Sequence, residues 1–180
     1  MRLLKQLFSK ATIVNHAKRL AESRQKTATA KLAFISPATG MMQAMGATTL
    51  ERFQNKMTGD GIMILPHGSK IVLPVSGIVT QSSTQQITIR VADQTEVVMA
   101  FGGVKANCGQ LATYSEKQQL WAGDIVGTIA DSALDHSGCI ELYIIWPGCQ
   151  SPRVNFGMVY ASQSVRCLPE TLQNGVEAHD

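Results

Sequence analysis

Apolar and polar positions change rhythm twice along the chain. Over residues 2–24, Leu3, Leu4, Leu7, Phe8, Ala11 and Val14 recur at helical spacing with lysines and arginines between them, which predicts an amphipathic helix. From residue 34 onward the apolar runs shorten and turn formers separate them. They predict strands at 61–65, 70–73, 77–81, 87–91, 96–101, 125–130, 140–146 and 165–168. Turn residues lie between these strands, as in Pro66-His67-Gly68-Ser69, Val75-Ser76-Gly77, Ala92-Asp93-Gln94 and Ala122-Gly123-Asp124. Many short strands at close spacing predict an all-β sandwich or barrel preceded by a helix. The expected organisation is a helix at 1–26, a polar linker at 27–33, a β domain at 34–168 and a frayed tail at 169–180.

One strand draws attention. Glu96 to Gly103 reads EVVMAFGG, an apolar run that ends on Ala100, Phe101 and two glycines. Small residues there predict close approach by a partner or ligand backbone.

Charge sharpens the division at the N-terminus. Residues 1–26 hold seven Lys/Arg and one acid, Glu22, a net +6, while the remaining residues hold nine basic and twelve acidic residues, a net −3. The folded domain therefore offers no basic patch of the kind nucleic acid requires. Leu3, Leu4, Leu7 and Phe8 with Lys5 and Lys10 fit a helix lying on an anionic membrane surface, where each basic residue adds ~1 kcal/mol of attraction. The same pattern fits a helix packed on its own domain or on a sister subunit. No apolar run there reaches signal-peptide or membrane-spanning length. The expected location is cytoplasmic, with a peripheral hold on the inner membrane. The four cysteines, Cys108, Cys139, Cys149 and Cys167, never form a CxxC pair, which suits reduced thiols better than disulfides or zinc.

A faint internal echo points to a duplicated architecture. Ser36-Pro37-Ala38-Thr39-Gly40 is answered by Leu73-Pro74-Val75-Ser76-Gly77, and Gly59-Asp60-Gly61 by Gly123-Asp124, each before an apolar strand.

These runs also resemble a known family. SPATG at 36–40, GDGIMILPHGSKIVLPVSG at 59–77, EVVMAFGG at 96–103 and WAGDIVGTIAD at 121–131 are similar to the glucose-type enzyme IIA domain of the bacterial phosphotransferase system. The resemblance is good over 34–131 and looser over 140–168. It implies a β-sandwich of the duplicated hybrid motif type that needs no cofactor. It also implies phosphoryl transfer from a phosphohistidine of the carrier HPr to a sugar-transporter domain, together with regulation of other proteins by binding.

The sequence departs from that pattern at the chemistry. The family's phosphorylated histidine, the H of HFG, falls on Ala100, and its second histidine falls near Gln85, with Gln86 as the alternative. An imidazole nitrogen attacks the donor and a neighbouring donor steadies the phosphoryl oxygens; a methyl group does neither. Other acceptors to consider are His67, in a turn, His136, in a loop, and Cys108. His16 lies in the basic helix and His179 in the tail. HxH, HExxH, G-x-S-x-G and P-loop patterns are all absent from the sequence, and no metal site is expected. The expected function is a non-phosphorylatable, regulatory protein-binding module. Its partners would be HPr, transporter domains or a regulated enzyme, docking on Ala100, Phe101, Ile87, Gln85 and Val98. The alternatives are an active phosphocarrier with a non-standard acceptor, and a membrane-associated assembly module unrelated to sugar uptake.

Overall fold

In the computed structural model, residues 34–45, 60–134 and 139–168 are described. The expected helix at 1–26, the linker at 27–33 and the tail at 169–180 lie outside them, as do His16, His136 and His179.

Among the described residues the chain is built of short strands. They are β1 (Phe34–Ile35), β2 (Gly40–Ala44), β3 (Asp60–Pro66), β4 (Lys70–Val72), β5 (Gly77–Ser82), β6 (Gln86–Arg90) and β7 (Glu96–Gly102). Then follow β8 (Gly109–Leu111), β9 (Gln119–Leu120), β10 (Ile125–Ile129), β11 (Glu141–Trp146), β12 (Gly157–Val159) and β13 (Ser164–Val165). A 3-10 turn at Ala106–Cys108 and the short helix α1 (Asp131–Leu134) complete the set. The all-β expectation holds. Eight strands form one sheet in the order β12-β2-β3-β11-β7-β6-β5-β9; β4-β10-β8 form a second and β1-β13 a third. The pairings are antiparallel.

The main core lies where the large sheet faces the small ones. The Phe101 ring of β7 sits where a side chain at Gly109 of β8 would have to go, and Phe34 of β1 meets Trp146 of β11 edge-on at 5.6 Å. Met42, Ile64, Met99, Ile87, Leu142 and Ile144 fill this layer, all at most 1% exposed. Their burial supplies the usual driving force of ~25 cal/mol per Å² of apolar surface. The unbroken run Ile140-Glu141-Leu142-Tyr143-Ile144-Ile145-Trp146 has a structural reason. Strand β11 is central and buried on both faces, and Met45, Met63, Tyr143 and Ile145 make a second cluster on its outer side.

The echo of 36–40 in 73–77 is a real duplication of backbone contacts; that of Asp60-Gly61 in Gly123-Asp124 is not, because the counterpart of Gly123-Asp124 is Ser162-Gln163. Ile35 N–H donates to Pro74 C=O, and Val72 N–H donates to Pro37 C=O. Residues 35–37 and 72–74 thus bond each other reciprocally. Ser36 N–H donates to Gln163 C=O and its carbonyl accepts Ser162 N–H; Leu73 N–H donates to Asp124 C=O and its carbonyl accepts Gly123 N–H. The turns 160–163 and 121–124 close alike, with Gln163 N–H on Tyr160 C=O and Asp124 N–H on Trp121 C=O. Gly40 and Gly77 open β2 and β5, and at each the backbone of the next strand, at Leu65 and at Arg90, leaves no room for a side chain. The two halves put β12 and β9 at opposite edges of the large sheet.

Candidate functional site

Ala100 lies in the middle of the large sheet. The register sets it opposite Gln86 of β6 on one side and Tyr143 of β11 on the other. Side chains alternate along a strand, so Glu96, Val98, Ala100 and Gly102 face outward while Val97, Met99 and Phe101 face the core. The burial pattern agrees, with Val98 partly exposed and Phe101 at 4%. Two of the expected docking residues are corrected by this alternation. Phe101 and Ile87 do not share a face with Ala100: Ile87 pairs with Met99 and is 0% exposed. A partner at Ala100 meets Val98, Gln86 and Gln85, each partly exposed.

Of the two glutamines, Gln86 is the one that stands directly across from Ala100. Gln85 accepts Phe101 N–H through its carbonyl and donates its side-chain amide to Gly109 C=O at 2.8 Å. Its donor group is thus committed to the start of β8. Gln86 Nε2 approaches Gln81 Oε1 at 3.5 Å, a long and exposed contact.

The other flank of Ala100 is filled. Tyr143 is 0% exposed and donates its phenol to the Glu141 carboxylate, itself 1% exposed, while Ala100 retains 6%. A buried carboxylate needs such a donor to offset lost hydration. The small residues that end β7 also receive an occupant. Gly103 has φ +84°, and a Cβ there would lie 2.7 Å from Cys139 O. The expected close approach is real, but the approaching backbone is the chain's own entry into β11, fixed by Lys105 N–H on Cys139 C=O at 2.8 Å.

The alternative acceptors fall in different places. His67 is exposed in the turn after β3, with its N–H on Thr39 C=O, and β3 is separated from β7 by β11. Cys108 ends the 3-10 turn one residue before Gly109, partly exposed, with its thiol 3.9 Å from Asn107 Oδ1. It is covalently next to the carbonyl that holds Gln85, and that contact, between residues 24 apart, was not readable in the sequence. Among the described residues no group of three or more His, Cys, Asp or Glu could hold a metal ion, and no helix is long and apolar enough to cross a membrane.

Comparison with known proteins adds three findings. A sequence model of the family described as phosphoenolpyruvate-dependent sugar phosphotransferase system, EIIA 1, matches residues 32–145. Among solved structures, glucose permease IIA from Mycoplasma capricolum has a similar fold, with a TM-score of 0.63 at 23% identity over 74% of this chain and 93% of that one. No curated protein matches the sequence.

Proposed function

The chain belongs to the EIIA 1 family of the phosphoenolpyruvate-dependent sugar phosphotransferase system, and from that premise we propose that it is a member that docks proteins without carrying phosphate. The observation behind this reading is the setting of Ala100. The register surrounds the position that the family resemblance gives to the phosphohistidine with Gln86, Tyr143, Val98 and Gly102. None of these side chains supplies an imidazole, and the one phenol is buried against Glu141. Without a nucleophile that can hold a labile phosphoryl group the covalent step has no first atom.

Docking would then use Ala100 and Val98 with the Gln85–Gln86 corner, shaped from behind by Phe101 and Ile87. Such binding is blind to phosphorylation at this position, so it would be constitutive or would compete with a phosphorylatable relative. The partners proposed are HPr, a transporter domain or a regulated enzyme in the cytoplasm. The basic stretch 1–26 would concentrate the protein at the inner face of an anionic membrane.

Incubation with phosphoenolpyruvate, enzyme I and HPr followed by intact mass tests the reading. The expected spectrum contains the unmodified chain alone. A stoichiometric phosphoryl adduct overturns it, and peptide mapping would then choose among His67, His136 and Cys108.

A further inference from the structure

We propose that the edge strand β12 is a lipid-contacting face that seats the domain on an anionic bilayer surface. It deepens the membrane reading of residues 1–26, but it rests on separate residues. Around β12 the exposed positions are Phe156, Met158 and Tyr160, at 55%, 45% and 63%, alternating with the less exposed Gly157 and buried Val159. Phe156, Met158 and Tyr160 are thus three large apolar side chains left exposed on β12 and its two flanking residues, and a patch of that kind marks an interaction surface. Met158 pairs with Met41 and Met41 with Leu65, both partly exposed, so the apolar surface continues across two more strands.

The fold itself does not demand these residues. The duplicated half carries the same turn, and its edge strand β9 has Lys117, Gln119 and Trp121 where β12 has Phe156, Met158 and Tyr160. The inward residues match in kind, Leu120 at 6% and Val159 at 7%. A lysine and a glutamine thus satisfy the same architecture at two of the three places, while an exposed aromatic at the third is common to both edges, so Phe156 and Met158 are the residues left with another use.

The surrounding charge favours lipid as the occupant. Between residues 147 and 168 the charged residues are Arg153 and Arg166 alone, both exposed, and the Val154–Cys167 bridge brings their segments together. The strands β1, β2, β12 and β13 contain no carboxylate. Phenylalanine and tyrosine with two exposed arginines match the headgroup layer of an anionic membrane, and the Asp60 carboxylate that adjoins this segment is bound to Ser151. The open edge of β12 must stay at the depth where water reaches its backbone groups, so the seat is shallow.

Sedimentation of the full chain with vesicles of phosphatidylglycerol and phosphatidylcholine, against phosphatidylcholine alone, tests the proposal. The wild type should partition to the anionic vesicles. Phe156→Ser with Met158→Ser and Tyr160→Ser should weaken partitioning about tenfold or more, with an unchanged melting midpoint. Arg153→Glu with Arg166→Glu, which leaves the stripe intact, should also weaken it. If both variants sediment like the wild type while Leu4→Glu with Phe8→Glu does not, the β12 proposal is overturned and the reading of residues 1–26 stands. The reverse pattern supports β12 and removes that reading. A wild type that ignores vesicles overturns both. If it is then a dimer and the triple variant a monomer, the face belongs to a second copy of the chain.

Discussion

The turns at 121–124 and 160–163 solve one structural problem with two chemistries. In the first, Trp121 N–H is held by Asp124 Oδ2 at 2.8 Å; in the second, Tyr160 N–H is held by Gln163 Oε1 at 2.8 Å. Gly123 takes the left-handed conformation at φ +96°, and its counterpart Ser162 takes it at φ +68°. Trp121 and Tyr160 are each 63% exposed. What the halves share is the backbone contact set and an exposed aromatic at the turn; what they do not share is Lys117 and Gln119 on one edge against Phe156 and Met158 on the other. The shared part reports the fold, and the unshared part is where a function can be read without mistaking it for architecture.

The most damaging way to break this comparison is to attack what both halves keep. Gly40→Ala and Gly77→Ala each drive a methyl group into the backbone of the neighbouring strand, at Leu65 and at Arg90. Each should destabilise the domain by about 3 kcal/mol or more, read as denaturant midpoints. Equal losses fit a true duplication. A tolerated substitution at one site alone would show that one half carries the fold and the other decorates it.

The centre of the large sheet is the next place to press. Ala100→His with Gln86→His places two imidazoles opposite each other on facing strands, at the cost of crowding a position only 6% exposed beside Tyr143. Overpacking of this kind should cost about 1–3 kcal/mol. The pair should nonetheless accept some phosphoryl group from phosphorylated HPr, detected by intact mass. A stably folded variant without any adduct would mean that the scaffold around Ala100, beyond the missing histidine, has left the chemistry behind.

A smaller effect has opposite signs in the two halves. Ser162→Gly relieves a side chain held at φ +68° and should stabilise by about 0.5–1 kcal/mol, whereas Gly123→Ser imposes the same strain and should destabilise by about 1 kcal/mol. Nothing crowds the new Cβ at Gly123, whose nearest neighbour is Ile35 Cδ1 at 3.7 Å. The measurement therefore isolates backbone strain. Melting midpoints that move the same way in both variants would remove the equivalence of the turns.

How much of this was written in the sequence depends on length and on register. The long strands 61–65, 96–101 and 140–146 are legible and agree with β3, β7 and β11 to within a residue or two. Strands of two or three residues such as β8, β9 and β12 are too short to show a period. β2 reads GMMQA, a composition with little β signal. The expected strand at 165–168 reduces to Ser164–Val165 and an isolated bridge at Cys167. At the site, the expected docking set overlooked the period of two, which sends Phe101 to the face opposite Ala100. By contrast, the pairing of Ala100 with Gln86 follows from the turn at 83–86, where Ser83 N–H bonds Gln86 C=O, and from cross-strand contacts that no local pattern encodes. The glycines after Phe101 announced a close approach; only the fold could say that the approaching chain is its own.

The smallest expected difference between the halves is electrostatic. Tyr114, before β9, corresponds to Arg153 before β12. Its phenol is shifted above the ordinary 10.0 by burial and then by the Asp124 carboxylate, both of which disfavour phenolate. A folded value above the unfolded one means that the folded state holds this proton more tightly. Its contribution to stability is complete below the unfolded value and is lost as the pH rises through the folded one. Denaturant midpoints of the wild type should therefore fall as the solution is taken above pH 10.0. In Tyr114→Phe that share of the decline should disappear, and Asp124→Asn should reduce it less, since burial is the larger cause. A Tyr114→Phe chain with the wild-type alkaline profile would place the loss in other groups, and the two edges would then differ in surface chemistry but not in their response to pH.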